Sequence, residues 1–134
     1  MGRDLQFSLY LTPEIKVEGA RTVDLANKLM DAAALHGCVL TDHNPKTNSF
    51  VSSGWRPAPV NSSTPNAAPN SKHMTGQAID IYDPDGELDD WLLTNYGQAS
   101  LTALGLWMEH PSATKSWCHV QTVPPRSGAR VFFP

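Results

Sequence analysis

The sequence predicts one domain in which α-helices are combined with a small β-sheet. Its 134 residues are enough to bury one hydrophobic core. From Thr22 onwards apolar residues recur at helical spacing, whereas residues 77–82 alternate as the residues of a strand do. Residues 106–111 and 117–121 are two further strand-like runs separated by a short loop, which predicts a β-hairpin.

The N-terminal part of the chain is predicted to be extended first and helical afterwards. Residues 1–18 are predicted as an extended or hairpin-like segment, because apolar and polar residues alternate from Leu5 and Pro13 ends the alternation. A helix is predicted to begin at Thr22, and Gly37 supplies a stop for it. We expect this helix to pack against the core.

The middle of the chain is predicted to contain two short strands and a long loop. Residues 38–40 and 50–53 are predicted as strands on either side of a polar turn. Residues 58–70 are rich in proline, asparagine and serine and are predicted as a loop. Loops of this length are uncommon in a small domain and often border a site.

The last third is predicted to contain two more helical stretches and a returning tail. Residues 88–92 and 97–104 are predicted to be helical, and Gly105 ends the second stretch. Residues 131–133 are apolar, and we expect them to pack back onto the sheet.

An acidic run follows the strand predicted over residues 77–82. It raises the alternative of a calcium site, since Ca²⁺ takes carboxylate oxygens as ligands. The twelve-residue calcium-loop pattern is not completed, so a solvated turn and a helix N-terminus are predicted instead. The acidic residues of this run are Asp83, Asp85, Glu87, Asp89 and Asp90.

Composition and charge argue against several classes of function. The formal net charge is −3 and the lysines and arginines are scattered, so nothing indicates a nucleic-acid or anionic-membrane surface. No apolar run approaches the roughly 20 residues of a membrane span, and no N-terminal signal peptide is recognisable. We therefore expect a monomer made in the cytoplasm, with no nucleic-acid partner and no stable membrane insertion.

The cysteine content is too low for a disulfide framework. Cys38 and Cys118 are the two cysteines of the chain, and one disulfide is the most that they can form. Free thiols are expected for a protein made in the cytoplasm. Cys118 is interpreted as a small buried hydrophobic residue.

The most informative stretch is residues 71–80, near the middle of the chain. It offers the imidazole of His73 and, seven residues later, the carboxylate of Asp80. Gly76 and Ala78 lie between them, and such small residues let two backbone segments approach closely. Imidazole and carboxylate are both zinc ligands. The hypothesis is that His73 and Asp80 bind Zn²⁺.

A catalytic zinc site usually has three protein ligands, so a third ligand must come from another segment. His119 is the best candidate, and the alternation of its strand turns Cys118 to the opposite side. His110 is the rival ligand. The predicted metal ligands are therefore His73, Asp80 and His119.

Hydrolysis at a metal site also needs a general base that takes a proton from the attacking water. Glu109 is the only carboxylate in the last thirty residues, and its strand is predicted to pair with that of His119. Alternatively, Glu109 is a charged residue exposed on an edge strand and has no catalytic role. Arg56 has a planar guanidinium fork that suits a carboxylate in a cleft. Alternatively, Arg56 is a surface arginine stacked on a neighbouring ring. Metal-assisted hydrolysis is the reaction class that these residues favour.

Two motifs of the chain form a recognisable pattern. They are Ser71-x-His73-x-x-Gly76-x-Ala78-x-Asp80 and Trp117-Cys118-His119-Val120. Together they resemble the D-alanyl-D-alanine carboxypeptidase family of zinc peptidases. That family includes vancomycin-resistance-type carboxypeptidases and phage endolysins, and it shares its core with hedgehog signalling domains and lysostaphin-type enzymes. Residues 52–57 also look like the segment upstream of the family's first zinc ligand, and the resemblance covers roughly residues 22–121.

The resemblance implies an α+β fold in which helices pack mainly on one face of a small antiparallel sheet, with the zinc site in the sheet cleft. It implies zinc bound by His73, Asp80 and His119, and Arg56 as the anchor of a substrate carboxylate. It also implies peptidoglycan stem peptides as substrates of a carboxypeptidase or an endopeptidase. A phage or prophage lysis enzyme, acting on the cell wall after its release, fits a chain in which no export signal is recognised.

One departure from the family pattern concerns the catalytic acid. The family commonly places this residue three positions before the last histidine, and Ser116 occupies that position here. Either Glu109 takes over from the neighbouring strand, or the protein is a non-catalytic zinc-binding or wall-binding module of the same fold. We favour Glu109, because a water-activating carboxylate is needed and no other lies nearby.

Overall fold

The computed structural model of the protein describes residues 12–54 and 71–133. Arg56, the loop predicted over residues 58–70 and most of the extended segment predicted over residues 1–18 lie outside these ranges. The described residues form a small mixed sheet with three helices. This arrangement confirms the predicted α+β fold class.

The described residues contain three α-helices, and two of them agree with the predicted helical stretches. None of the three is long and apolar enough to cross a membrane. Two short 3₁₀ turns, Lys72–Thr75 and Pro111–Ala113, lie close to strands of the sheet. The helices are α1 (Pro13–Leu35), α2 (Glu87–Leu92) and α3 (Asn95–Leu104).

Helix α1 begins at Pro13 rather than at Thr22, so the prediction of an extended segment was wrong for residues 13–18. The hydroxyl of Thr12 accepts a hydrogen bond from the Ile15 N–H at 3.2 Å and caps the helix. Pro13 occupies the first turn, where the N–H that proline lacks would have no partner within the helix. The Thr-Pro pair is therefore a helix start and not a strand end.

The described part of the chain has one sheet of five strands in the order β1-β2-β4-β3-β5. Every neighbouring pair is antiparallel except β3 and β5, which are parallel. The sheet is therefore mixed, whereas the resemblance implied an antiparallel one. The strands are β1 (Val51–Ser53), β2 (Ala78–Asp83), β3 (Trp107–Glu109), β4 (Ser116–Gln121) and β5 (Val131–Phe132).

The parallel pair results from the path of the C-terminal tail. Strand β4 is flanked by β2 on one side and by β3 on the other, so both of its edges are occupied. A chain that reverses after β4 runs antiparallel to β4 and hence parallel to β3, and the outer edge of β3 is left for it. The predicted hairpin of β3 and β4 and the predicted return of residues 131–133 to the sheet are both confirmed.

Residues 38–40 do not form the strand that the sequence predicted. Strand β2 is already flanked by β1 and β4, so this apolar segment finds no free edge there to pair with. Cys38 and Leu40 pack instead against the core with their side chains.

The core lies between the helices and one face of the sheet. The strands contribute alternate residues to it, because successive side chains of a strand point to opposite faces. Asp80 and His119 therefore belong to the other face. The buried core residues are Ala26, Leu29, Ala33, Ile79, Ile81, Leu88, Leu92, Leu101, Leu106, Met108, Cys118 and Val120.

The acidic run that begins at Asp83, the last residue of β2, is only partly solvated. Asp83 and Asp89 are each 2% exposed, so the prediction of a solvated turn was wrong for these two residues. The carboxylate of Asp83 accepts hydrogen bonds from the N–H groups of Leu88 (3.1 Å) and Asp89 (2.9 Å) and so satisfies the first turn of α2. Both cysteines are free, and Cys118 is buried as predicted.

Candidate metal centre

Three potential metal ligands from separate parts of the chain lie together. One nitrogen each of His73 and His119 and one carboxylate oxygen of Asp80 lie within 4.8 Å of one another. His73 Nε2 is 3.2 Å from Asp80 Oδ2, and His119 Nδ1 is 2.9 Å from Asp80 Oδ1. The structure therefore brings together the three residues that the sequence predicted as a ligand set.

The pairing of β2 with β4 places Asp80 next to His119. These two residues are direct cross-strand partners, as are Ala78 and Gln121. Directly opposed residues of an antiparallel pair point to the same face, with Cβ atoms about 4.5–5.5 Å apart. The small Ala78, two residues before Asp80, is on this face too, so the ligand face has a small side chain on that side of the carboxylate.

His73 reaches the cluster from the 3₁₀ turn Lys72–Thr75, which precedes β2. The hydroxyl of Ser71 accepts a hydrogen bond from the His73 N–H at 3.2 Å and caps this turn. Gly76 ends the turn with a φ of +73°, a conformation that glycine adopts without strain.

Helix α1 supports this turn from behind. A Cβ atom on Gly76 would lie 2.9 Å from the Ile15 carbonyl oxygen and 3.0 Å from the Gly19 nitrogen, so a larger residue would push the two segments apart. The buried hydroxyl of Thr22 donates to the Gly76 carbonyl oxygen at 2.7 Å. The close backbone approach predicted at Gly76 is confirmed, and it holds the turn that carries His73.

A backbone carbonyl orients the imidazole of His73. Its Nδ1 lies 2.8 Å from the carbonyl oxygen of Gly54, just after β1. Because a carbonyl oxygen can only accept, Nδ1 carries the hydrogen, and Nε2 of the neutral ring has the lone pair that faces Asp80. Metal-binding histidines usually show this arrangement, in which the other ring nitrogen donates to a fixed acceptor.

The far side of the His119 ring contacts Gln121, two residues further along β4. His119 Nε2 and Gln121 Oε1 are 2.9 Å apart. The sequence predicted no role for Gln121 and no contact of Gly54 with the site. Gly54 lies in the segment 52–57, but its contact is made by the backbone carbonyl, whose direction no side-chain pattern encodes, and Gln121 follows the last motif as a single residue without a signal of its own.

The electrostatics of the cluster keep Asp80 ionised. Burial by itself raises the pKa of Asp80, but hydrogen bonds with His119 and His73 outweigh burial and hold that pKa well below its ordinary value. Burial also lowers the pKa of His119, yet the hydrogen bond with Asp80 and its charge raise it overall. Asp80 is therefore a carboxylate near neutral pH, which is the form that binds a cation.

The donor set fits zinc. Zn²⁺ takes imidazole nitrogens and carboxylate oxygens, and three protein ligands leave the fourth position open, as in catalytic sites. Two tetrahedral ligands about 2.1 Å from zinc are roughly 3.4 Å apart, so the observed contacts of 2.9 Å and 3.2 Å need small adjustments. His73 and Asp80 are 2% and 9% exposed, so the set is largely shielded from solvent.

Glu109 lies on β3 beside the cluster. Met108 of β3 is paired with Val120 of β4. In an antiparallel pair the next residue of β3, Glu109, then lies opposite His119, and opposed residues point to the same face of the sheet. The Glu109 side chain is half-buried. Burial raises the pKa of its carboxyl, and the charge of His119, which lowers that pKa, does not cancel the rise. The structure thus places the carboxylate predicted as general base on the ligand-bearing face.

His110, the rival ligand, points elsewhere. Its Nδ1 accepts a hydrogen bond from the Ser112 N–H at 3.1 Å, and its ring stacks on Phe133 with 4.5 Å between centroids. His110 is not among the three residues of the ligand cluster. Arg56 lies outside the described residues, so its role in binding a substrate carboxylate stays a prediction.

Ser116 stands where the resembled family commonly has its catalytic acid. It is exposed and pairs with Asp83, three pairs along the ladder from Asp80 and His119. Its φ is +79°, a left-handed value that departs from regular strand geometry at the start of β4. The Ser116 side chain is a hydroxyl and not a carboxylate, so it cannot supply the proton-accepting group that the resembled family has at this position.

Aromatic side chains border the ligand face at β3 and β5. The Phe132 ring lies edge-on to His119 with 6.2 Å between centroids, and Phe132 is paired with Glu109. The guanidinium of Arg130 lies 4.4 Å above the Trp107 ring. Apolar walls beside a few convergent polar groups are typical of binding sites for small ligands.

No protein-family model, no curated protein and no solved structure matches this chain. Its function is therefore inferred from the chemistry of the site and from the motifs of its sequence.

Proposed function

We propose that this protein is a zinc-dependent peptidase that hydrolyses peptide bonds in the stem peptides of bacterial peptidoglycan. The observation that carries the proposal is the meeting of His73, Asp80 and His119 on one face of the sheet, with Glu109 opposite His119 on the next strand. Metal-assisted hydrolysis requires such a set, namely three metal ligands and a nearby proton acceptor.

The pattern of donors and acceptors supports a cation at the cluster. Nδ1 of His73 is committed to the Gly54 carbonyl oxygen, so Nε2, 3.2 Å from the ionised Asp80, has a hydrogen for the carboxylate only when the ring is protonated and presents a lone pair to it when the ring is neutral. Two buried acceptors at this distance repel each other unless a proton or a metal ion lies between them. Zn²⁺ binds neutral imidazole and carboxylate, so it suits this position when the histidines are neutral.

The chemistry needs a metal and a base. A zinc ion held by these residues would lower the pKa of a water molecule and polarise the peptide carbonyl. Glu109 takes the proton of the attacking water and returns it to the leaving amine. Its half-buried position suits both steps, because burial raises the pKa of its carboxyl toward the pH at which it must accept and release a proton.

The substrate class rests on the motif of residues 71–80 and on His119, which resemble those of D-alanyl-D-alanine carboxypeptidases and phage endolysins. Arg56 is the residue proposed to bind a carboxylate of the peptide. Carboxypeptidase and endopeptidase activity are both compatible with the site. We propose a monomeric, single-domain lysis enzyme of phage or prophage type, made in the cytoplasm and acting on the cell wall after release.

A non-catalytic zinc-binding or wall-binding module is the second candidate. Ser116 favours it, because the resembled family commonly has its catalytic acid at that position. Such a module binds zinc and wall fragments but releases no new amino or carboxyl termini.

Mass spectrometry of peptidoglycan after incubation with the zinc-loaded protein separates the two candidates. A peptidase produces new termini at one type of peptide bond, and chelation of the metal stops their production. The identity of the bond also distinguishes endopeptidase from carboxypeptidase activity. Uncut peptidoglycan in the presence of stoichiometrically bound zinc would overturn the peptidase and favour the module.

Replacement of Glu109 tests its role as the base. Glu109→Gln keeps the size of the side chain but removes the proton acceptor, so we expect hydrolysis to fall by about a hundredfold to ten-thousandfold while zinc stays bound. Glu14→Gln is the matched control, because Glu14 is exposed in the first turn of α1. An unchanged rate of peptidoglycan hydrolysis in Glu109→Gln would refute the role.

A further inference from the structure

The imidazole of His119 has a neighbour at each of its nitrogens. Nδ1 lies 2.9 Å from Asp80 Oδ1, and Nε2 lies 2.9 Å from Gln121 Oε1. The amide nitrogen of Gln121 in turn lies 2.7 Å from the carbonyl oxygen of Val123. Hydrogen bonds therefore connect the backbone at Val123 to the histidine ring through one glutamine.

The Val123 carbonyl determines the direction of these hydrogen bonds. It can only accept, so the NH₂ group of the Gln121 amide must face it. The amide oxygen of Gln121 is then turned toward His119, and because it is an acceptor, the hydrogen of that contact must be on Nε2. In the protonated ring Nδ1 also carries a hydrogen, which it donates to Asp80; in the neutral ring Nδ1 is left with the lone pair, which points at Asp80 and is free for a metal ion.

We propose that Gln121 is a positioning residue that makes Nδ1 the metal-binding nitrogen of His119. The inference rests on the proposed metal site and adds the residue that orients one of its ligands. Gln121 is 6% exposed, so water has little access to replace its oxygen at Nε2. A partner behind a metal-bound histidine holds both the ring orientation and the position of the ring hydrogen.

His73 is oriented in the same way, but its two ring nitrogens have the opposite roles. Its Nδ1 donates to the Gly54 carbonyl oxygen at 2.8 Å, and its Nε2 faces Asp80 at 3.2 Å. The two histidines present different nitrogens because their fixed acceptors lie beside different ring atoms. A side-chain substitution cannot remove the backbone carbonyl behind His73, but it can remove the acceptor behind His119.

Zinc affinity, measured by competition with a chelator, tests the role of Gln121. Gln121→Leu removes the acceptor with little change in volume, and we expect zinc to bind about tenfold to a hundredfold more weakly. Gln121→Glu keeps an acceptor at Nε2, so its zinc affinity is expected to lie closer to that of the unchanged protein. Because zinc binding is the readout, the test does not depend on hydrolysis.

Gln98→Leu is the matched control. Gln98 lies on α3, and its amide nitrogen also donates to a backbone carbonyl, that of Leu92, at 2.7 Å. Loss of this hydrogen bond lowers the stability of the fold, but we expect the zinc affinity to remain unchanged. Equal losses of zinc affinity in Gln98→Leu and Gln121→Leu would reveal a general stability effect and overturn the positioning role.

Nitrogen NMR of the histidine rings identifies directly which ring nitrogen binds zinc. At a pH where His119 is neutral, we expect the hydrogen on Nε2 in the metal-free protein and a zinc-induced shift at Nδ1. In Gln121→Leu the Nε2 hydrogen is expected to exchange faster with solvent. Coordination through Nε2, or unchanged zinc affinity in Gln121→Leu, would overturn the inference.

The outcomes also separate this inference from the proposed enzyme. Zinc binding through Nδ1 without cleavage of peptidoglycan would overturn the peptidase and still support the role of Gln121. Cleavage together with unchanged zinc affinity in Gln121→Leu would support the peptidase and overturn the role of Gln121. A protein that binds no zinc would overturn both.

Discussion

The two faces of the sheet are built from alternate residues of the same strands, but burial lowers the free energy of one face and raises that of the other. On β2, Asp80 points to the ligand face and Ile81 to the core, and on β4 His119 and Cys118 divide in the same manner. Burial of the apolar side chains is favourable by itself. Burial of the carboxylate and the imidazole costs free energy unless each polar atom has a partner. One face is therefore stabilised by buried area and the other by specific contacts.

Two buried carboxylates on opposite sides of the sheet show what the partners decide. Asp80 contacts two histidines, and its pKa lies well below the ordinary value despite burial. Asp89 lies on the core side near Cys118, where burial raises its pKa to about 7. Its Oδ1 has no hydrogen-bond partner among the described residues. The partners, and not the depth of burial, determine which carboxylate is ionised near neutral pH.

The largest effect is expected from removing a ligand on the polar face. His73→Ala leaves Asp80 and His119 as the remaining ligands, and we expect zinc affinity to fall by more than about a hundredfold, since even residues behind a ligand contribute up to that factor. Equilibrium dialysis with metal analysis measures it. His110→Ala, which alters a histidine outside the cluster, is expected to bind zinc normally. If His73→Ala bound zinc normally and His110→Ala lost zinc binding, His110 and not His73 would be the ligand.

A smaller effect, and of a different kind, is expected on the core face. Ile81→Ala removes a side chain that is 1% exposed, next in sequence to a ligand. We expect the free energy of unfolding to fall by about 2–5 kcal/mol in urea titrations, with unchanged zinc affinity of the folded protein. Val17→Ala, at a position 66% exposed, should change stability by less than about 0.5 kcal/mol. A parallel loss of zinc affinity in Ile81→Ala would show that the two faces are not independent.

The smallest effect is expected from Asp89, and it depends on pH. The pKa of Asp89 in the folded protein is about 7, above its ordinary value of 3.8, so the folded state binds this proton more tightly than the unfolded state does. The resulting stability is present below the ordinary pKa and is lost as the pH rises through about 7. Asp89→Asn cannot ionise, so we expect it to gain about 1–3 kcal/mol relative to the unchanged protein between about pH 4 and about pH 8.

Urea unfolding of both proteins at several pH values measures this difference. Asp85→Asn is the control, because Asp85 is an exposed residue of the same acidic run. A difference between Asp89→Asn and the unchanged protein that stays constant with pH would contradict the assignment.

The sheet and its two faces could largely be predicted from the sequence. Residues 77–82 and 117–121 alternate in polarity, and strand geometry then assigns Asp80, His119 and Cys118 to faces without further information. The predicted helices after β2 also exist, because their spacing is local. The start of α1 differs from the prediction, because the alternation before Thr12 favours a strand whereas Thr12 and Pro13 are themselves helix start signals.

Other features depend on partners that the local sequence does not contain. Residues 38–40 have the composition of a strand but find no free edge beside β2. The parallel pairing of β5 follows from the occupied edges of β4, which no stretch of the tail encodes. The burial of Asp89 depends in the same way on the docking of α2 against the sheet.

By itself the sequence determined which residue types could form a metal site and which of them share a face, because these properties follow from side-chain chemistry and from a strand period of two. Only the tertiary structure decided that His119, and not His110, meets His73 and Asp80. It also decided which nitrogen of each ring faces the cluster. That choice depends on the acceptor behind each ring, and folding brings the acceptor of His73 from a separate segment, just after β1.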